Sequence, residues 1–231
     1  MTRTLPATLA LALALAGVAD PAAAGDAAAH PEKAICTICA MRATHGEPRP
    51  EKVSGHSQFE GRDYYFCSKH CKQEFDDNPA WWLPLELPMP LPDLTLRSLD
   101  GGAARLAHSA GQVQVIDFWA TWCKPCKRLM THLQKRHEAH PDGSLAIVGI
   151  SIDEGDDAAA KVSRHLRKLK IGYPVYLDDV DEPAWGTLKV HAVPTTLLVD
   201  RDGRIVKRWT GRIDHDQLDR AIDELLAAAA D

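Results

Sequence analysis

The apolar run Val113 to Trp119 leads almost directly into Trp122-Cys123-Lys124-Pro125-Cys126, and this junction constrains the chain more than any other stretch. The run has the length and composition of a buried strand. Pro125 suits the first turn of a helix, where a missing N–H costs nothing. Two cysteines at a strand-to-helix turn make a dithiol/disulfide pair. A helix N-terminus stabilises negative charge, so Cys123 as a thiolate gains from the unpaired N–H groups of the first turn. Cys126, one turn further in, is placed to close or resolve a disulfide. The same spacing is one arm of many zinc sites, but the strand-turn-helix setting favours redox chemistry, and a better metal candidate lies elsewhere in the chain.

Around this junction the pattern predicts an edge or entry strand near Leu94 to Leu96, a strand Val113 to Trp119 and a helix Lys124 to His137 with Leu129, Met130 and Leu133 inward. A strand Leu145 to Ile152, a helix Ala158 to Leu169 and a short strand Pro174 to Leu177 follow. Ala146-Ile147-Val148-Gly149-Ile150 has the apolar continuity of a strand buried on both faces. Thr196 to Val199 and Ile205 to Trp209 flank Asp200-Arg201-Asp202-Gly203, a hairpin signal. Asp214 reads as the N-cap of a closing helix whose stripe is Leu218, Ile222, Leu225 and Leu226. The result is an α/β fold, a central mixed sheet with helices on both faces.

From about Leu91 to the C-terminus, Val115-Ile116-Asp117-Phe118-Trp119-Ala120-Thr121-Trp122-Cys123-Lys124-Pro125-Cys126 resembles the active-site signature of the thioredoxin superfamily. Val190-His191-Ala192-Val193-Pro194-Thr195-Thr196 resembles the segment holding that family's cis-proline. The opening Leu91 to Leu96, Leu99-Asp100-Gly101 and the added helical stretch near Asp157 to Lys168 are similar to the TlpA-like and ResA-like periplasmic branch. The resemblance implies a thioredoxin fold. It also implies that Cys123 attacks a disulfide and that Cys126 resolves the mixed disulfide. Asp117 then corresponds to a buried acid that takes the proton of the resolving thiol, and Pro194 to the cis-proline that offers the backbone of Val193 to an extended substrate. Trp122 shields the sulfurs, and Trp119 belongs to the core. Lys124 departs from the small or proline residue common at its position, and a cation beside a thiolate alters its pKa.

A different composition precedes this part. Cys36-Thr37-Ile38-Cys39 and Cys67-Ser68-Lys69-His70-Cys71 supply four cysteines for one metal site. A Cys-x-x-Cys turn presents two sulfurs to one ion, and if Cys67 begins a helix then Cys71 lies a turn away on the same face. Four thiolates suit tetrahedral zinc, and soft sulfur also holds copper(I). The segment Cys39 to Trp82, including Phe59-Glu60-Gly61-Arg62-Asp63-Tyr64-Tyr65-Phe66-Cys67-Ser68, resembles the YHS and TRASH modules, small treble-clef-like metal-binding units. Cys39, Cys67 and Cys71 match their ligand positions, whereas Cys36 is assigned from spacing and chemistry. His56 and His70 are reserve ligands. A disulfide staple or a purely structural zinc is the plainer alternative, because a domain this small needs a staple to offset its thin core. Asn78-Pro79 should end its last helix. Trp81 and Trp82 are placed to cap its core, and Pro84, Pro88, Pro90 and Pro92 make a stiff linker.

Met1-Thr2-Arg3 and the apolar stretch from Leu5 to Ala19 read as a secretory signal, too brief for an ordinary span. Ala22-Ala23-Ala24-Gly25 offers a cleavage site. The expected organisation is a signal peptide 1–24, a metal-binding module 25–82, a linker 83–92 and a thioredoxin-like domain 93–231. Export places the cysteines in an oxidising compartment, a periplasm on the branch resembled. The net charge of −5 offers no basic field for nucleic acid. Basic Lys161, Arg164, Arg167, Lys168 and Lys170, following Asp153, Glu154, Asp156 and Asp157, read as a solvated helix with complemented dipole ends.

The expected function is thiol-disulfide exchange, reductive in direction, on cysteine-containing proteins, supplied with electrons by an upstream thiol donor and needing no organic cofactor. Its partners include metalloproteins or a metal ion. The alternative is a copper- or zinc-handling protein whose redox pair keeps ligand thiols reduced. A binding adaptor with a vestigial redox domain is disfavoured by the intact set Cys123, Cys126, Asp117 and Pro194.

Overall fold

The computed structural model describes residues 30–228, apart from 45–47, 109–110 and 179–180. The expected signal segment lies outside the described residues. The first elements carry the N-terminal cysteines. β1 (Lys33–Ala34) pairs antiparallel with β2 (Glu51–Lys52), and between them runs the short helix α1 (Thr37–Arg42), N-capped by Cys36. β3 (Gly55–Phe59) and β4 (Arg62–Phe66) form a hairpin around Glu60 and Gly61, both at positive φ. Those two central conformations are what a tight hairpin turn requires. α2 (Lys69–Asp77) follows, N-capped by Ser68, whose hydroxyl accepts from the Cys71 N–H at 3.1 Å. It ends at Asn78, as Asn78-Pro79 led one to expect, and a 3-10 turn spans Pro79–Trp82.

This part has its own core of Cys36, Ile38, Phe66, Cys71, Phe75 and Trp82. The Trp82 indole N–H donates to the Glu74 carbonyl at 2.9 Å, and Arg42 grips the Glu74 carboxylate with two bonds while lying over the Trp82 ring. Trp82 thus belongs to the core rather than to its rim.

The remaining elements are β5 (Met89–Pro90), β6 (Leu94–Arg97), β7 (Ala103–Leu106), β8 (Val113–Trp119), α3 (Lys124–Ala139), β9 (Leu145–Ser151), α4 (Ala158–Leu169), β10 (Val175–Asp178), α5 (Ala184–Thr187), β11 (Thr195–Val199), β12 (Arg204–Thr210) and α6 (His215–Ala227). They build one sheet in the order β5-β12-β11-β8-β9-β10-β6-β7. β8, β9 and β10 run parallel, and the outer pairings are antiparallel.

β8 is buried at every position. Val113 and Val115 pack with Leu129 and Leu133 of α3 and Leu218 and Ile222 of α6. Ile116 and Phe118 pack in the other cluster, with Val148, Ile150, Leu188 and Leu197. Burying each such side chain contributes roughly 1.5–3 kcal/mol, which is why five of the strand's seven residues are apolar and why its single carboxylate stands out. The proline-rich segment after Trp82 is more than a spacer. Met89 and Pro90 add an edge strand beside Ile205 and Arg204, and the Leu91 N–H donates to the Gly203 carbonyl. An edge position tolerates a proline because no partner there needs its missing N–H.

Candidate redox site and cysteine cluster

β8 ends in a short loop, and the loop ends in α3, whose N-cap is Cys123. Cys123 and Cys126 form a disulfide. The Cys126 N–H donates to the Cys123 sulfur at 3.3 Å, one of the free first-turn donors that the junction promised. Trp122 stands in solvent, 68% exposed, beside a Cys123 that is only 4% exposed, and Cys126 is fully buried. The loop is held by a residue that the sequence pattern did not single out. Thr121 donates its N–H and its hydroxyl to the Asp153 carboxylate at 2.8 and 2.6 Å, and Ser151 donates to it at 2.7 Å. Asp153 had been counted only in an acidic run; a carboxylate closely following a buried strand was the signal available.

Asp117 is fully buried on β8, opposite Thr196 of β11 on one side and Gly149 of β9 on the other. The Thr196 hydroxyl donates to its carboxylate at 3.0 Å. Burial pushes the carboxyl up to about 8, and the Thr196 bond offsets only part of that. Tyr173 is shifted upward too, by burial and then by the Asp117 charge.

Pro194 follows a cis bond from Val193 and precedes β11 directly. Val190, His191, Ala192 and Val193 line a groove of about 240 Å³ whose other walls are Trp122, Ile152, Glu154 and Trp185. The groove therefore joins the residue beside Cys123 to the segment before Pro194. His191 and Trp185 were not singled out from the sequence, and their role rests on contacts distant along the chain.

Cys36, Cys39, Cys67 and Cys71 come together at the start of α1 and the start of α2. Their sulfurs all lie within 4.8 Å of one another, with Cys39 to Cys67 at 3.6 Å and Cys67 to Cys71 at 3.8 Å. A tetrahedral ion with bonds of about 2.3 Å sets its sulfurs about 3.8 Å apart, so the donor set fits zinc or another thiophilic cation. All four are free thiols. Cys67 lies just ahead of α2 rather than inside it, and Ser68 takes the capping position. Burial pushes Cys39 up to about 11, helped by its bond with Cys36, and Cys67 is raised by burial and the same neighbour. Burial opposes ionisation of Cys36 too, yet the N–H groups of Cys39 and Cys67 outweigh it and hold Cys36 below the ordinary thiol value. One thiolate among crowded thiols is a seat for positive charge. The reserve ligands stand apart. His56 bonds to Asp63 at 2.8 Å, and His70 is exposed near Glu74.

A parallel core strand flanked by helices, with a Cys-x-x-Cys disulfide at the following helix start, defines the thioredoxin class. Residues 89–208, just over half of the chain, match the model of the AhpC/TSA family, and the chain belongs to that family. Residues 50–86 match the YHS domain. Curated relatives include the thiol-disulfide oxidoreductase ResA of Bacillus thuringiensis (strain Al Hakam), 28% identical over 128 residues, 55% of this chain and 72% of that one. The ResA of Geobacillus kaustophilus (strain HTA426) is 25% identical over 134 residues, 58% of this chain and 75% of that one. Among solved structures, a thioredoxin-like protein from Porphyromonas gingivalis superposes with a TM-score of 0.52 at 27% identity, over 61% of this chain and 94% of its own. A thiol:disulfide interchange protein from Bacteroides sp. superposes with a TM-score of 0.54 at 22% identity, over 64% and 95%, and shares the fold. The chain is a thioredoxin-like thiol-disulfide oxidoreductase.

Proposed function

We propose that the chain is an exported, periplasmic reductant of protein disulfides whose N-terminal module holds zinc or copper(I). The observation that carries the redox part is Cys123 at the α3 N-cap beside the exposed Trp122, with Cys126 and Asp117 buried behind it. In the reduced state the Cys123 thiolate attacks one sulfur of a substrate disulfide. An S–S bond forms to Cys123, the substrate S–S bond breaks, and the first substrate sulfur leaves as a thiolate that takes a proton from water. Cys126 gives its proton to the Asp117 carboxylate and attacks the Cys123 sulfur. The second substrate sulfur leaves and is protonated in turn. Two electrons have passed to the substrate, and the Cys123–Cys126 disulfide remains for an upstream thiol donor to reduce. With Asp117 held at about 8, its ionised fraction near neutral pH can accept a proton and its neutral form can return one. Val193 and Pro194 offer an extended edge along the groove for the substrate backbone.

In the module, Cys36, Cys39, Cys67 and Cys71 would hold the ion, which would supply fold stability when bound. Cys39 is exposed while Cys36 and Cys71 are buried. That asymmetry favours a second reading, in which the ion is passed on from the Cys39 side and the redox pair keeps a partner's ligand thiols reduced.

Trapping tests the assignment of nucleophile and resolver. Cys126→Ser in the full mature chain should accumulate a mixed disulfide with insulin through Cys123, and Cys123→Ser should accumulate none. Trapping that survives without Cys123 would falsify the assignment.

A further inference from the structure

The groove beside Trp122 is lined only by the redox part, yet its floor is held from behind by the N-terminal module. His191, three residues before Pro194, lies between the two tryptophans that end the module. Its ring stacks on Trp82, with centroids 4.8 Å apart and planes 15° from parallel, and meets Trp81 edge-on at 4.5 Å. Trp81 also meets Trp185, on the groove's other wall, at 5.6 Å. Lys189 reaches back to donate to the Ala80 and Leu83 carbonyls at 2.7 and 3.3 Å, and Arg208 donates to the Leu188 and Lys189 carbonyls at 2.8 and 2.7 Å.

On the other side of the same loop, the Gly211 N–H donates to the Pro194 carbonyl at 2.7 Å, and the next residue, Arg212, donates its N–H to the Thr44 carbonyl at 2.9 Å. A side chain at Gly211 would fall 2.3 Å from the Thr44 backbone, and its φ of +82° is one that glycine adopts freely. The loop from Lys189 to Pro194 is therefore held at its start by module carbonyls and at its end by Gly211, whose neighbour Arg212 is bonded to Thr44 of the module.

We propose that Trp81 and Trp82 are positioning residues of the redox site: through His191 and Trp185 they set the walls along which an extended protein substrate lies. The module is then a working part of substrate recognition. The inference rests on reading the groove as the substrate path. A substrate that needs only the sulfurs of Cys123 and Cys126 does not feel the clamp, whereas a polypeptide laid along Val193 does.

Kinetics of the full, reduced mature chain separate the two cases, with insulin as the polypeptide disulfide and oxidised glutathione as the small one. Trp82→Ala should raise KM for insulin about five- to tenfold, the scale of one or two lost aromatic contacts. It should leave kcat for insulin and the rate with oxidised glutathione within about twofold. Trp82→Phe should restore most of the loss. Because Trp82 is also core to the module, His191→Ala and Gly211→Ala attack the clamp from the redox side, and both should raise KM for insulin. Unmoved KM in all of these variants overturns the inference, as does an equal fall with both substrates. A wild-type chain that reduces neither substrate overturns the redox reading itself, and with it this inference.

Discussion

Asp117→Asn is expected to stabilise the protein at alkaline pH by up to about 6 kcal/mol while slowing the release of a mixed disulfide. The carboxyl is fully buried and sits at about 8 in the folded chain, against about 3.9 when unfolded. Between those values the native state holds a proton that the unfolded state has lost. The contribution of Asp117 to stability is therefore fully present below about pH 4, falls by about 1.4 kcal/mol per pH unit as pH rises toward 8, and levels off above it. Asparagine keeps an oxygen for the Thr196 hydroxyl and removes the ionisation, so the slope should vanish from the variant. In the proposed cycle the same change removes the acceptor for the Cys126 proton, so stopped-flow measurement of the resolving step should show a lower rate near neutral pH. Denaturant titrations at several pH values give the check. Identical pH slopes in the two proteins would return Asp117 to a purely structural part.

Loading the cysteine cluster should have the other large effect. The chain should bind about one zinc or copper(I), and binding should release protons, since burial pushes Cys39 up to about 11. Structural zinc contributes on the order of 10 kcal/mol in small domains. A chelator should therefore speed amide exchange through α1, α2 and the β3–β4 hairpin by orders of magnitude while β8 and β11 stay protected. Cys36→Ser or Cys71→Ser, each at a buried position, should reduce affinity at least about a hundredfold, from the loss of one of four thiolates. A Cys36–Cys39 or Cys39–Cys67 disulfide in the intact protein, with no metal retained under any reducing condition, would show a covalent staple instead.

The parts legible in the sequence are those whose signals are local. β8 and α4 have the residue limits that apolar continuity and helical period predict, Asp214 caps α6, and Gly203 turns the β11–β12 hairpin. α3 runs on to Ala139, two residues beyond the expected end, because polar last-turn residues carry no stop signal. The elements not foreseen are short or lie at edges. β5 holds a proline, β7 is Ala-Ala-Arg-Leu, and the β3–β4 hairpin turns on Glu-Gly rather than a stronger turn pair. These are fixed by the strand beside them more than by their own propensity. The site divides in the same way. Cysteine spacing located both thiol groups, whereas Thr196 on Asp117, Asp153 on Thr121 and His191 between Trp81 and Trp82 join residues far apart in the chain, which no local window can pair.

The clamp around Lys189 also sets an order of events at the birth of the molecule. Ala80 and Lys189 meet across 109 residues, and Thr44 waits for Arg212, further along still. At a synthesis rate of roughly 5–20 residues per second, the first cysteines emerge on the order of ten seconds before the surface that will cover their neighbours exists. During that interval the nascent cluster has only its own hairpin and helices for shelter. In that interval the cluster can take up an ion, or misoxidise, without the redox half of the same chain.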